Sequence, residues 1–271
     1  MRIWKAIKKR LLKPILQRLK RKRNLIVILG MHRSGTSALT EALANSGLPL
    51  NLGDKLLGPK SENPRGYFED TRIIKANQAF FSEFNAKTLE PWKLPKVKSD
   101  KGVERIRKVW AAIEREKINI LKDPRLCVTL PQWQHAWRHD VKPIYVHIWR
   151  HPAQVAQSLW RRAEISVEVA EANWVFHIKS GLQHSDLNRS VFVMHSDLIS
   201  NANRTINDAG IAITRLTRWK FVPTTVASID PKLATLDVPE IIQTTEAQVL
   251  WDALVLFQTT KDLNVLRAVI K

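Results

Sequence analysis

The sequence predicts an α/β domain built on a parallel sheet, and three observations support this fold class. Short apolar runs rich in β-branched residues recur along the 271-residue chain and alternate with stretches at helical spacing. A loop with two glycines joins the first apolar run to the first helical stretch. Polar clusters follow several of the runs, at the position where open α/β sheets place their ligands. We therefore expect residues 24–271 to form a single three-layer domain, with helices on both faces of a central parallel sheet.

The strands and helices are predicted from these runs in chain order. Strands are expected at 25–29, 118–121, 144–149 and 191–194. Helices are expected at 37–46, 71–85, 103–117, from about 153, at 167–184, 198–207 and 248–257. Residues 48–70 and 86–101 carry turn-forming residues and are predicted to be loops, and no structure is assigned over 211–243. A loop as long as 48–70 is uncommon unless it serves a function.

The first loop has the features of a P-loop-like, phosphate-binding segment. It reads Gly30-Met31-His32-Arg33-Ser34-Gly35-Thr36-Ser37. Glycines allow the backbone to turn its N–H groups inward, and the following helix adds the partial positive charge of its N-terminus. The two glycines keep the spacing of a nucleoside-triphosphatase loop, but Thr36 stands where that loop has a lysine. Arg33 supplies the cation instead, which argues against binding of ATP with magnesium.

Two further cationic clusters follow predicted strands. Lys122-Asp123-Pro124-Arg125 follows the second strand, and Arg150 follows the third, with Ser158 eight positions later. If the sheet brings Arg33, Lys122 and Arg150 together, three cations surround one crevice. Guanidinium groups hold phosphate or sulfate oxygens in bidentate fashion, and a lysine places a compact charge beside an oxygen that becomes negative.

In combination, over roughly residues 25–200, these motifs resemble the sulfotransferase family that uses 3′-phosphoadenosine 5′-phosphosulfate (PAPS). The family's 5′-phosphosulfate loop is matched by residues 30–37, and its 3′-phosphate motif by Arg150 and Ser158. Lys122-Asp123-Pro124 looks like the turn of the carbohydrate and protein-tyrosine branches, in which the lysine contacts the transferring group. His195-Ser196-Asp197-Leu198 is similar to the family's Tyr-Glu-Asp-Leu, whose aromatic residue lies near adenine.

The resemblance implies an enzyme that moves a sulfuryl group from PAPS to a hydroxyl or amine, mainly by positioning and charge stabilisation. Loop residues 34–37 would hold the 5′-phosphate, while Arg33 and Lys122 would neutralise charge on the sulfuryl and leaving oxygens. Arg150 and Ser158 would bind the 3′-phosphate. Fixed cations do the neutralising in this scheme, and no metal is expected.

Four residues are candidates for the general base: Glu69, Asp70, Asp123 and His32. We favour Glu69, since it ends the turn Gly66-Tyr67-Phe68-Glu69 in the long loop that would overhang the sulfuryl group. The alternative is that Glu69 caps the helix that starts near residue 71. Asp123 is expected to accept hydrogen bonds from neighbouring backbone or from Arg125, and His32 to line the loop.

The net charge of +19 is unevenly distributed. Residues 1–23 hold 11 Lys and Arg and no acidic residue, with apolar residues at helical spacing between them. This pattern predicts a basic amphipathic arm, and an anionic membrane surface is its favoured partner. A solvated extension and nucleic-acid binding are the alternatives, although no nucleic-acid-binding module is visible.

The cellular location is inferred from what the sequence lacks. No apolar run approaches the length of a spanning helix or of a secretory signal. The single cysteine, Cys127, excludes an internal disulfide and fits a reducing compartment. We expect a cytoplasmic protein that the arm can bring to the inner face of the membrane.

The acceptor is expected, by family analogy, to be a saccharide or a glycolipid. Two rival functions are a nucleotide kinase or NTPase, and a non-catalytic membrane-associated adaptor on the same fold. Several side chains receive simpler interpretations. Trp110, Trp160 and Trp174 are expected in the core, and Trp92 and Trp133 in loops, with contact to the acceptor as the alternative. An inert buried thiol is expected for Cys127, and a helix surface for His177 and His184.

Overall fold

The sheet has four parallel strands in the order β2-β1-β3-β4. The computed structural model describes residues 22–60, 63–94, 100–137, 141–225 and 241–270. The strands are β1 (Arg23–Leu29), β2 (Ile120–Lys122), β3 (Val141–Trp149) and β4 (Ser190–Met194). All four run in the same direction, so their carboxyl ends lie at one edge of the sheet. The expected parallel sheet is confirmed.

Helices connect the strands and cover both faces of the sheet. Those of the described ranges are α1 (Thr36–Ala44), α2 (Thr71–Glu83), α3 (Asp100–Arg115), α4 (Leu126–Trp137), α5 (Pro152–Ala163), α6 (Val167–His184), α7 (His195–Ser200), α8 (Ala202–Leu216), α9 (Thr245–Thr260) and α10 (Leu263–Val269). Short 3-10 turns lie at Pro91–Lys93 and Leu187–Arg189.

Alternation along β1 divides the core into two layers. Ile26 and Ile28 belong to a buried cluster that also contains residues of α1 and α8. Leu25 and Val27 face the other way and pack with residues of α3 and α4. Helices therefore cover both sides of the sheet, as the sequence predicts. A third cluster joins α5, α6 and α9 around Trp149 at the end of β3.

Helix α4 is the main element that the sequence analysis did not predict. Trp133, expected in a loop near the acceptor, is fully buried in this helix, and its Nε1 donates a hydrogen bond to Asn77 Oδ1 at 2.8 Å. Pro131 lies inside α4 and removes one backbone donor. Packing of the apolar residues of α4 against α3 outweighs that local cost.

Three other side-chain predictions meet different outcomes. Trp110 and Trp174 are buried as expected, but Trp160 is 53% exposed. The prediction for His177 was wrong, because this residue is fully buried and its Nδ1 donates to the carbonyl of Asn173 at 2.8 Å. His184 is exposed on α6, as predicted.

The predicted helix over 198–207 is two helices. Asn201 adopts an extended φ of −151 between α7 and α8, and its side chain accepts a hydrogen bond from the N–H of Arg204. Asn is a good N-cap residue, so one polar side chain both ends α7 and starts α8. The closing helix is longer than predicted and spans Thr245–Thr260.

A basic arm is expected at residues 1–23, and residues 1–21 of it lie outside the described residues. Arg23 is the first residue of β1, and its guanidinium carbon lies 5.5 Å from the centroid of the Trp110 ring. Within the described ranges, no helix combines the length and the apolar character that crossing a bilayer requires.

Candidate active site

The loop between β1 and α1 is held tightly against the ends of β3 and β4. Gly35 is the N-cap of α1 with a φ of 84, and a Cβ at this position would lie 2.5 Å from His195 Cδ2. A Cβ at Gly30 would lie 2.8 Å from the carbonyl oxygen of Ile148 in β3. Only glycine fits both approaches. The first-turn N–H groups of α1 have no intrahelical partners and are available to an anion at this edge of the sheet.

Arg33, Arg150, Ser158 and His195 form one side of the site, which we call the guanidinium side. Arg33 has a left-handed backbone with φ 69, and its Nε donates to Ser158 Oγ at 2.8 Å. Arg150 follows β3, and its Nη1 donates to the carbonyl oxygen of Arg33 at 3.0 Å. The predicted 3′-phosphate pair and the predicted loop cation are thus joined by direct hydrogen bonds.

Charge and burial act together on the guanidinium side. Burial, and to a smaller degree the nearby charge of Arg33, lower the pKa of Arg150 to about 10. Arg150 therefore stays charged at neutral pH. Burial, aided by the charge of Arg150, lowers the pKa of His195 to about 3, so that its imidazole is neutral.

Ser37, Tyr67, Glu69 and Lys122 form the other side, which we call the carboxylate side. Lys122 Nζ, at the end of β2, donates to Glu69 Oε1 at 2.6 Å, to the carbonyl oxygen of Tyr67 at 2.8 Å and to Ser37 Oγ at 3.0 Å. Lys122 and Glu69 are both buried. Their contact joins the predicted catalytic lysine to the favoured base.

The protonation of the pair is set by desolvation. Burial raises the pKa of Glu69 above its usual value, although the ammonium of Lys122 opposes the change. Burial also lowers the pKa of Lys122, against the opposing effect of Glu69. Both shifts move the two pKa values towards neutrality, and a carboxylate of raised pKa is a stronger proton acceptor.

The structure decides between the interpretations of Glu69 and its neighbours. The interpretation of Glu69 as a helix cap is wrong, because the N-cap of α2 is Asp70, which accepts a hydrogen bond from the N–H of Arg72 at 2.8 Å. The structural role expected for Asp123 is confirmed. Its Oδ1 accepts from the N–H and from the guanidinium of Arg125, at 2.9 and 3.0 Å.

The loop that carries Glu69 has an unusual backbone. Phe68 has a φ of 55, in the left-handed region that bulky residues rarely adopt. It lies between Tyr67 and Glu69, whose carbonyl and carboxylate oxygens both accept from Lys122. We infer that the lysine holds this turn in its strained form, at a cost of about 1–3 kcal/mol.

One cavity of about 350 Å³ joins the two sides, a volume typical of small-molecule sites. The predicted site residues that line it are Arg33, Gly35, Thr36, Ser37, Glu69, Lys122, Arg150 and His195. Ser158 lies behind Arg33 and is not among the lining residues. Ser34 is fully buried, and its Oγ has no hydrogen-bond partner among the described residues.

Several lining residues were not predicted from the sequence. One face of α1 lines the cavity with Ala38, Glu41, Ala42 and Asn45. Successive members of this set are three, one and three positions apart, which is helical spacing. The sequence could therefore have indicated them once α1 was known to border the site. Arg162, near the end of α5, also lines the cavity, and no motif marks it. Trp92 is 44% exposed and lies outside the cavity lining.

Cys127 is a structural residue at the start of the loop. Cys127 Sγ accepts a hydrogen bond from the N–H of Gly30 at 3.1 Å, and burial raises the pKa of its thiol to about 12. The thiol is therefore unreactive and supports the start of the loop. The part of the chain that the structure describes holds no group of three or more His, Cys, Asp or Glu residues placed to bind a metal ion.

The chain is similar to known proteins only in its fold. Neither a family profile nor a curated protein sequence matches it. Among solved structures, the chain is similar to a sulfotransferase domain from the curacin biosynthetic pathway, with a TM-score of 0.50. The two sequences are 17% identical, and the alignment covers 87% of this chain and 98% of that domain. The chain has the sulfotransferase fold.

Two other sulfotransferase structures are also similar, at lower TM-scores. The sulfotransferase domain of the olefin synthase from Synechococcus PCC 7002 is 18% identical, covers 89% of this chain and 96% of its own, and has a TM-score of 0.48. A sulfotransferase from Alicyclobacillus acidocaldarius is 12% identical, covers 92% of this chain and 96% of its own, and has a TM-score of 0.39. The similarity to the domain from the curacin biosynthetic pathway confirms the resemblance inferred from the motifs for the fold alone.

Proposed function

We propose that this sulfotransferase-fold chain is an enzyme that transfers a sulfuryl group from PAPS to a hydroxyl or amine of an acceptor. One observation carries the proposal. A single cavity has two arginines and an anion-binding loop on one side, and a buried lysine–glutamate pair on the other. Such a site can bind a polyanionic nucleotide and take up a proton in the same space.

The guanidinium side fits the donor. Arg150 would bind the 3′-phosphate that distinguishes PAPS from ordinary adenine nucleotides. Ser158, which lies behind Arg33, would hold the Arg33 guanidinium in place. Loop residues 34–37 would hold the 5′-phosphate with backbone N–H groups, and Arg33 would neutralise the phosphosulfate. His195, which contacts the loop at Gly35, would lie beside the adenosine. Its neutral imidazole adds no charge there.

The carboxylate side fits the transfer step. The acceptor oxygen attacks sulfur in line, a new oxygen–sulfur bond forms, and the bond from sulfur to the 5′-phosphate oxygen breaks. The bonding electrons leave with 3′,5′-bisphosphoadenosine (PAP), and the acceptor proton passes to Glu69. Lys122 lies within hydrogen-bond distance of both Ser37 on the loop and Glu69, so its ammonium can stabilise charge on the leaving oxygen.

The acceptor proposed is a saccharide or a glycolipid. This part rests on the similarity of Lys122-Asp123-Pro124 to the carbohydrate branch, which is an argument by analogy. The aromatic residues Tyr67 and Phe68 line the cavity immediately before Glu69 and would give a sugar ring an apolar wall beside the base.

We further propose that the basic N-terminal arm binds an anionic membrane surface. Its 11 basic residues without an acid favour anionic lipid, at about 1 kcal/mol for each residue near the surface. Co-sedimentation with phosphatidylserine vesicles should be lost when residues 1–21 are removed, while sulfuryl transfer to a soluble acceptor is kept. Loss of transfer together with binding would favour the adaptor function instead.

The direct test is PAPS-dependent transfer of labelled sulfate to a panel of sugars and glycolipids, together with calorimetric binding of PAP in the presence of EDTA. We expect PAP to bind without metal, and Arg33→Ala and Arg150→Ala to weaken its binding. Magnesium-dependent binding of ATP, with no binding of PAP, would favour the kinase or NTPase function. If neither substitution changes the affinity for PAP, the site assignment is wrong.

A further inference from the structure

The amino ends of the strands form the edge of the sheet that lies opposite the cavity, and we call it the amino edge. At this edge Asn24, near the start of β1, is paired with Lys142, near the start of β3. The cavity, by contrast, is lined by residues that follow the strands, such as Arg33 and Arg150. Because all four strands are parallel, the length of the sheet separates the amino edge from these residues.

The end of α8 extends the amino edge beside β4. Arg189 directly precedes β4, and its Nε donates to the carbonyl oxygen of Pro143 at 2.9 Å. Its Nη2 donates to the carbonyl oxygen of Leu216, the last residue of α8, at 3.5 Å. The end of α8 therefore lies next to the starts of β3 and β4.

Basic side chains crowd this part of the surface. Those of Lys22, Lys142, Arg215 and Arg218 are exposed, and Arg189 is half-buried. We call these five residues the basic face. Among the ion pairs of the described ranges, none joins a residue of the basic face to a carboxylate. Their positive charges are therefore available to a partner in solution.

Nearby acidic residues do not balance the basic face. Asp186 lies one turn before Arg189 and caps the 3-10 turn between them. Glu114 and Glu116 belong to the end of α3, which leads into β2, and Glu116 is bonded to Arg72 at 2.7 Å. Five basic residues thus stand against one neighbouring carboxylate, and the basic face attracts anions.

The N-terminal arm joins the chain at the basic face. Residues 1–21 end directly before Lys22, and they hold nine basic residues and no acidic one. Apolar residues such as Trp4, Leu11 and Leu12 lie between the basic ones, a composition typical of segments that bind a lipid surface. The arm and the basic face therefore suit the same partner, and they meet at one point of the chain.

We propose that the basic face is a docking surface for an anionic lipid bilayer, so that the chain meets the membrane with its amino edge and holds its donor site away from it. This inference rests on the membrane binding proposed for the arm. Arg150 follows Lys142 by eight residues along β3, which is about 26 Å in a strand. The Debye length is about 8 Å at physiological salt, so the negative potential of the bilayer is screened at Arg150 and does not repel a polyanionic donor.

The chain offers matched charges on both sides of the molecule. Lys142→Gln with Arg215→Gln removes two charges from the basic face, and neither side chain makes a hydrogen bond or an ion pair within the described ranges. Lys60→Gln with Arg161→Gln is the control and also removes two exposed charges. Arg161 adjoins Arg162 of the cavity lining, and Lys60 lies in the long loop that borders the cavity. A general effect of net charge would appear in both double variants.

The experiment is co-sedimentation of the full chain with phosphatidylcholine vesicles, with and without phosphatidylserine, at physiological salt. The parent chain should bind only the vesicles that contain phosphatidylserine. The basic-face double variant should bind them about thirtyfold more weakly, since each Lys or Arg near the surface contributes about 1 kcal/mol. The control double variant should bind as the parent chain does, and the affinity for PAP should stay unchanged in both.

A fluorescent label tests the orientation. Cys127 is buried and its thiol is unreactive, so a single introduced cysteine takes the label. Lys142→Cys and Lys60→Cys are each labelled with an environment-sensitive dye and mixed with vesicles that carry a quencher on the lipid. We expect quenching of the dye at position 142 and none at position 60.

The outcomes separate the proposals. Equal binding by the two double variants, or equal quenching at the two positions, would overturn the docking surface and leave the membrane binding of the arm intact. Equal binding of the parent chain to neutral vesicles, or displacement from the vesicles by double-stranded DNA, would also overturn it. Failure of the parent chain to bind either kind of vesicle would overturn the arm proposal as well, while PAP binding and sulfuryl transfer are measured separately.

Discussion

The two sides of the cavity handle positive charge differently. On the guanidinium side, two arginines lie together: Arg33 Nε donates to Ser158 Oγ, and Arg150 Nη1 donates to the carbonyl oxygen of Arg33. On the carboxylate side, Lys122 is bonded to the carboxylate of Glu69, so that the pair carries no net charge. Guanidinium groups beside an anion-binding loop favour a bound anion, whereas a compensated lysine–glutamate pair is suited to moving a proton. The difference indicates that binding and chemistry are divided between the two sides.

The largest effect is expected on the carboxylate side. Glu69→Gln keeps the shape of the side chain but removes the proton acceptor, and kcat should fall by about 10²–10⁴-fold. Steady-state transfer of labelled sulfate measures the change, with a fixed acceptor and saturating PAPS.

Asp70 provides the control for Glu69. It is the neighbouring carboxylate and caps α2, and Asp70→Asn keeps a side chain that caps helices well. This variant should keep kcat near that of the parent chain. A fall in kcat for Asp70→Asn as deep as that for Glu69→Gln would remove the distinction between base and cap.

The next largest effect is expected where the loop meets the guanidinium side. Gly35→Ala places a Cβ at a φ of 84 and 2.5 Å from His195 Cδ2. Left-handed strain of about 1–2 kcal/mol and overpacking of about 1–3 kcal/mol should together weaken PAP binding by about a hundredfold. Isothermal titration measures the affinity.

Gly58, in the long loop of residues 48–70, provides the control for Gly35. A Cβ at Gly58 would meet no atom within 4 Å. Gly58→Ala should therefore leave PAP affinity unchanged. If the two alanine variants bind PAP equally well, the loop does not form the tight anion site that we describe.

A third effect, on folding and not on activity, is expected at acid pH. Burial is the main cause of a lowered pKa in three histidines. It lowers the pKa of His195 and of His147 to about 3, and that of His177 to about 4. Since these values lie below those in the unfolded chain, unfolding takes up protons, and stability falls as the pH drops below the unfolded value near 6.5. Each histidine should contribute a loss of about 1.4 kcal/mol per pH unit between pH 6.5 and its folded pKa.

Urea unfolding at several pH values tests this expectation. His195→Asn should make the free energy of unfolding less dependent on pH. A pH dependence of the free energy of unfolding unchanged from that of the parent chain would contradict a buried neutral His195 beside Arg150.

The sequence predicted the parts of the site that depend on strand ends. Glycines, cations and apolar runs near Gly35, Lys122 and Arg150 are local features, and a parallel sheet brings strand ends to one edge. The Lys122–Glu69 contact was not predicted as a contact, since it joins residues 53 positions apart through a loop without a periodic pattern. Its members were each predicted separately.

The errors have a common physical cause. Trp133 and His177 were assigned from their immediate neighbours, a proline and a helical spacing, whereas their burial depends on packing between distant elements. Tertiary contacts of this kind override local preference. Arg162, which lines the cavity, was missed for a related reason, because only the fold brings it close to the loop.

The division of work between the two sides is tested most directly by the dissociation constant of PAP for Arg150→Gln and Glu69→Gln, measured by titration calorimetry. Loss of the Arg150 guanidinium should weaken PAP binding about tenfold or more, the value of a hydrogen bond to a charged group, while Glu69→Gln should change it by less than about twofold. An equal loss of affinity in both variants would contradict the separation of donor binding from transfer.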